Sequence, residues 1–201
     1  MRPTREDAWK LLLEFNQNPS LIKHALAVEA AMRAYARKYG GDEELWGITG
    51  LIHDFDYEQH PTLDEHPAAG VAILTERGWP QEIITAIQGH APYLGVPRTT
   101  WMDKALFAVD ELTGFVIACA LVRPDKSILN LTASSVKKKW KDKAFARAIN
   151  RADIELGAQE LGVDLLEHIA LVIEALKPIA EELGVAGVPN TGAPSAEQHA
   201  G

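Results

Sequence analysis

The stretch over residues 105–122 constrains the fold most: it is almost wholly apolar, yet Asp110 and Glu111 stand near its middle. Each acid would cost about 2.5–3.5 kcal/mol at a bilayer centre, so the stretch is read as a buried core helix and not as a membrane span. A carboxylate on such a helix cannot stand alone. Asp110 must either take up a proton or face a cation.

The remaining sequence is dominated by helical signals. Long runs are rich in Ala, Leu, Glu, Lys and Ile, and alternating strand patterns are scarce. A first helix is expected over residues 4–15. Asn18-Pro19-Ser20 breaks it, with Ser20 as the expected N-cap of the next. Leu21, His24, Ala25, Val28, Met32 and Tyr35 then follow at helical spacing until Gly40-Gly41. Further helices are expected over 43–55, from Pro67 to 77, from Pro80 to 90, over 102–121, over 136–157 and over 163–183. Residues 56–65 read as a polar loop, and 123–135 as a less regular connection. The pattern predicts an all-α fold, a compact helical bundle. Residues 1–184 are expected to form one domain with a metal-binding core of about 21–121, and 185–201, rich in Gly, Pro, Ala and Ser, a flexible tail.

Twenty basic and 28 acidic residues give a net charge of −8, which argues against a nucleic-acid coat, since that needs many phosphate-neutralising contacts. The single cysteine, Cys119, excludes an intramolecular disulfide and a cysteine metal cluster, and fits a reducing cytoplasm. The first ten residues lack the apolar core of a signal peptide. A cytoplasmic location is therefore expected.

Several side chains stand out for their chemistry. His24 lies within an apolar stripe, where a core histidine with one hydrogen bond is the simplest reading. His53-Asp54 ends an apolar helix; a bound cation would explain the acid, and so would solvent exposure. His66 and His90 each lie near a helix end beside a proline-bearing loop and can face a shared cleft or serve as surface or capping groups.

The order His24, His53-Asp54, His66, His90, Asp110 resembles that of the HD superfamily of metal-dependent phosphohydrolases. Leu51-Ile52-His53-Asp54 is similar to the signature helix. The segments from His66 to Leu74, from Ala86 to His90 and from Ala108 to Leu112 are similar to those bearing the third and fourth histidines and the final aspartate. The resemblance covers residues 21–121 and implies a helical bundle of the HD type with extra N- and C-terminal helices. Where cyclic-dinucleotide phosphodiesterases of the HD-GYP branch carry a second His and a Glu, this chain has Ala91 and Pro92, and it lacks Gly-Tyr-Pro. The spacing is closer to small bacterial HD hydrolases, including those that cleave diadenosine tetraphosphate. The region after Asp110 resembles a subgroup without a defined substrate.

The resemblance implies one or two divalent metal ions, with Mn, Fe, Co, Ni, Zn or Mg suited to imidazole and carboxylate ligands. His24, His53, Asp54 and Asp110 would hold the first, and Asp54 would bridge to a second on His66 and His90. Two ions about 3.5–4 Å apart can clamp an in-line displacement and activate water near neutral pH. The expected activity is hydrolysis of a small phosphorylated substrate, a nucleotide or related phosphoester. Lys104 and Arg123 are the expected catalytic cations beside Asp54, with Lys126 and the run from Lys137 to Lys143 in reserve. The competing reading is a non-catalytic metal- or nucleotide-binding regulatory module of the same fold. The first and last helices offer a surface for a homodimer. Self-repulsion among buried carboxylates predicts that Asp54→Ala stabilises the metal-free protein.

Overall fold

A computed structural model of the chain describes residues 2–187. It is helical, with no strand among the described residues; the nearest to one is an isolated antiparallel bridge between Ser127 and Ala186. Helix α1 (Arg5–Phe15) starts in a capping box: Thr4 accepts from Asp7 N, and Asp7 accepts from Thr4 N. Helix α2 (Pro19–Tyr39) is capped by Asn18, whose side chain accepts from Ser20 N. Ser20, the expected cap, lies inside the first turn because Pro19 already occupies the position that needs no N–H.

Helix α3 (Glu43–Ile52) stops at Ile52, earlier than the expected 55, and residues 53–59 continue as turns. Helices α4 (Ala68–Glu76) and α5 (Gln81–His90) follow, each entered through a proline. Helix α6 (Trp101–Leu121) is the apolar stretch of the sequence and the centre of the molecule. It packs against α2 and α5, and its residues from Ala105 to Val109 are all buried. No helix among the described residues is long and apolar enough to cross a membrane.

The sequence pattern overran two later boundaries. The helix expected over 136–157 is two: α7 (Ala133–Trp140) and α8 (Arg151–Leu161). Between them Asp142 accepts from Ala144 N and Phe145 N, drawing the chain into a turn, and Asn150 caps α8. The helix expected over 163–183 is α9 (Leu165–Leu176) and α10 (Ala180–Leu183), separated by a short 3₁₀ turn at Pro178. The expected tail also begins too early. Val185 is fully buried, Ile128 N donates to its carbonyl, and Ala186 bridges Ser127. The rest of the expected tail, 188–201, lies outside the described residues.

Two contacts set the position of α6. His168 of α9 is fully buried; Tyr35 donates to its Nδ1 at 2.6 Å, and its Nε2 donates to Ala108 O at 2.9 Å. Burial pushes this imidazole down to about 4, so it is neutral and one nitrogen donates while the other accepts. On another side α8 meets α6 through Gly157, where a Cβ would stand 2.5 Å from Ala108 Cα. That atom is backbone and cannot rotate away. Gly157→Ala is therefore expected to destabilise by about 1–3 kcal/mol through overpacking, measured by urea denaturation. Wild-type stability in that variant would show that α8 does not press on α6.

Candidate metal centre

The site forms where the helix ends of the first half meet the middle of α6. His24 lies in the second turn of α2, His53 and Asp54 follow α3 directly, His66 precedes α4, His90 ends α5, and Asp110 stands midway along α6. Each ring turns its Nε2 inward. His53 Nδ1 donates to Gly50 O at 2.8 Å, and His90 Nδ1 donates to Ile87 O, both within their own last turn. These bonds leave Nε2 as the free ligand atom of a neutral imidazole.

The two oxygens of Asp54 face different partners. Oδ2 lies 3.3 Å from His53 Nε2 and 3.8 Å from His24 Nε2. Oδ1 lies 3.1 Å from His66 Nε2 and 3.2 Å from His90 Nε2. Asp110 Oδ1 completes the first set, 3.0 Å from His24 and 3.3 Å from His53. Ligand atoms bound at about 2.0–2.2 Å to a single ion sit roughly 3–3.6 Å from one another, so both sets have the spacing of a ligand shell. His53 Nε2 and Asp54 Oδ1 are moreover buried without a hydrogen-bond partner, the condition a bound cation relieves. The residues fit divalent ions in two groups that share Asp54: His24, His53, Asp54 and Asp110, and Asp54, His66 and His90.

Without metal the cluster neutralises itself. Burial alone would lower His53, but Asp54 and Asp110 raise it well above its ordinary value. His66 is likewise lifted to about 9 by Asp54 and Asp56 against the effect of burial. Burial opposes the charge on Asp54 and Asp110, yet the surrounding imidazoles hold both well below the usual carboxylate range. Attraction thus outweighs the carboxylate repulsion expected from the sequence.

Asp56, which the sequence reading left in a polar loop, is fully buried. Its Oδ1 accepts from His66 Nδ1 at 2.9 Å and its Oδ2 from Gly70 N at 2.8 Å. Gly70 makes the second bond possible, since a Cβ there would meet Asp56 Cγ at 2.8 Å. The available signal was an acid flanked by Phe55 and Tyr57 just past an apolar helix.

A cleft of about 340 Å³ opens over the centre, with Asp54, His66, His90 and Asp110 at its floor. Tyr93 and Phe107 supply aromatic wall, while Glu111 and Asp153 make another side acidic. Burial, then Asp110, push the Glu111 carboxyl up to about 7. Neither expected catalytic cation lines this cleft. Lys104 lies over the Trp101 ring, 4.9 Å from its centroid. Arg123 pairs with Asp125 at 2.9 Å beyond the end of α6, and thirteen residues of helix place it about 20 Å along the axis from Asp110. Of the lysine run, Lys137 lies over Trp140 and Lys139 over Phe145. Among the described residues no Lys or Arg lines the cleft.

The family model for the HD domain matches residues 21–105. Over that segment, 85 of the 201 residues, the chain is similar to the HD domain. The match includes His24, His53, Asp54, His66 and His90 and stops before Asp110, whose place in the site comes from the geometry above. Comparison with curated proteins and with solved structures gives no match.

Two outcomes are expected. Asp54→Ala should melt lower than wild type in chelator, the reverse of the sequence expectation, because it strips His53, His66 and His90 of their shared counter-charge. A His raised to about 9 stabilises fully below its ordinary value of about 6.5 and loses that contribution as pH rises through 9. The gap between the two proteins should therefore narrow from pH 7 to above 9; an equal or higher melting temperature for the variant at pH 7 would refute the account. Asp56→Asn should weaken metal binding by about 10–100-fold through loss of His66 orientation, read by competition with a chromogenic chelator.

Proposed function

We propose that this chain is a metal-dependent phosphohydrolase acting on a nucleotide or related phosphoester. The observation that carries the reading is the shared carboxylate, with Asp54 Oδ1 and Oδ2 turned toward separate groups of inward-facing imidazoles. The similarity of residues 21–105 to the HD domain, a domain of metal-dependent hydrolases, supports the reaction class.

His24, His53, Asp54 and Asp110 would hold one ion, and Asp54, His66 and His90 a second. Divalent ions there supply Lewis acidity toward the phosphoryl group and activate water for attack. The second group has fewer protein ligands and lies at the cleft floor, which leaves room for substrate on that side. Tyr93 and Phe107 would seat a flat or apolar portion of the substrate and exclude water from one wall. The cleft volume suits a small molecule and not an extended nucleic acid. Since no Lys or Arg lines the cleft among the described residues, the ions themselves would balance the phosphate charge.

That absence also favours a second reading, in which the domain binds metal or nucleotide as a regulatory module without turnover. A screen of nucleotides and other phosphoesters with Mn, Fe, Co, Ni, Zn and Mg separates the two. Hydrolysis is expected with at least one ion and should fall by about a hundredfold or more in Asp54→Asn and Asp110→Asn, the loss of several kcal/mol of transition-state stabilisation. Lys104→Ala and Arg123→Ala should stay close to wild type. Stoichiometric metal with no turnover across the screen would support the regulatory reading.

A further inference from the structure

The metal cleft carries a charge pattern that the proposed reaction does not use. Besides the candidate ligands, it is lined by two carboxyls, Glu111 from α6 and Asp153 from the first turn of α8. Asn150, which caps α8, stands in the same lining, and its Nδ2 donates to Asp153 Oδ2 at 2.6 Å. Neither acid is ion-paired to a Lys or Arg among the described residues.

The cations nearest to cleft residues are engaged elsewhere. Arg98 lies over Phe107, 3.7 Å from its centroid, but its Nε and Nη2 donate to Glu160 and its Nη1 to Gly89 O. Arg151, next to Asn150, donates to Asp142 O and Phe145 O. Lys23, next to His24, holds its Nζ 3.0 Å from where a Cβ on Gly184 would stand. Residues 188–201 contain no Lys or Arg at all.

With two divalent ions in place, Asp54, Asp56 and Asp110 offset three of their four positive charges. A single phosphate dianion takes up the remainder. A second phosphate would bring its charge to Glu111 and Asp153 with no cation to offset it, and like charges in a partly enclosed cleft repel without the full screening of water. The rest of the lining suits an uncharged body. Leu63 and Tyr93 are 71% and 48% exposed, and the Tyr93 hydroxyl donates to His66 O at 2.5 Å, which fixes that ring at the cleft.

Resting on the reading of this cleft as a phosphoester site, we infer that its substrate is a phosphate monoester, one phosphate on an uncharged organic body such as a nucleoside. Glu111 and Asp153 are the residues that reject di- and triphosphates. Selection here works by repelling the wrong ligand and not by an added contact to the right one. The same two carboxylates disfavour dinucleoside polyphosphates, toward which the spacing of the ligands along the chain pointed.

The test is calorimetric titration at pH 8 of the full chain loaded with Mn, using hydrolysis-resistant phosphonate analogues of AMP and ADP, and of UMP and UDP. In at least one pair the monophosphate analogue should bind about tenfold or more tightly than the diphosphate analogue. That ratio should fall by about tenfold or more when Asp153→Asn is combined with Glu111→Gln, and by a smaller factor in Asp153→Asn alone, which leaves the neighbour of Asp110 intact. Melting temperature and metal content near wild type verify the fold and the centre; where the double variant loses metal, the single one decides. Equal or tighter binding of the diphosphate analogues by wild type overturns the inference. So does an unchanged ratio in the folded variants, a parallel loss of both affinities, or absence of binding by all four analogues at millimolar concentration. The ratio is read from binding alone, so failure to hydrolyse any phosphoester would sink the hydrolase reading and leave this result standing.

Discussion

Asp54 is the group on which the site depends. Its side chain is only 23% exposed, and its two oxygens are directed to different imidazoles. A carboxylate in that position stays ionised only while cations or hydrogen-bond donors face both oxygens. His53, His66 and His90 meet that need in the free protein, and divalent ions would meet it more strongly. The early end of α3 serves the same purpose. Had the helix continued to 55, the turn that brings Asp56 back to His66 would not form as it does.

The ligands come from several helix ends, so their meeting depends on how the helices are fixed relative to one another. Helix α6 is the reference. It is buried along most of its length, pinned at Ala108 O by His168 and approached closely at Ala108 by Gly157. Both contacts fall within one turn of Asp110. Among the described residues those after α6 contribute no ligand to the candidate metal groups, yet they set where Asp110 stands and add Asn150 and Asp153 to the cleft.

The cleft is acidic where a phosphoester enzyme was expected to be basic. The sequence counts its charges along the chain, whereas the cleft samples only those that the fold brings to it. Lys104, Lys137 and Lys139 cover aromatic rings with their amines, and Arg123 answers Asp125. These cations stabilise local surface, consistent with their spacing on helix faces and turns.

Much of the helical architecture was legible in the sequence, because amphipathic spacing, Gly40 and the prolines act over a single turn or two. The errors fall where a local capping bond competes with a continuing pattern, as at Asn18, Asp142 and Asn150, or where Pro178 interrupts one. The His and Asp residues were visible as a set because their order along the chain resembles a family, not because any one of them is distinctive. Asp56 was not visible, since its partners are ten and fourteen residues away and only a turn unites them. By itself the sequence determined an all-helical chain with a carboxylate embedded in its most apolar helix, since burial and charge must be reconciled wherever that helix packs. Tertiary structure alone decided that Asp54 divides its oxygens between two imidazole groups, that the cleft lacks a Lys or Arg among the described residues, and that Glu111 and Asp153 share its lining. Each of those depends on distances between helices, which no local pattern encodes.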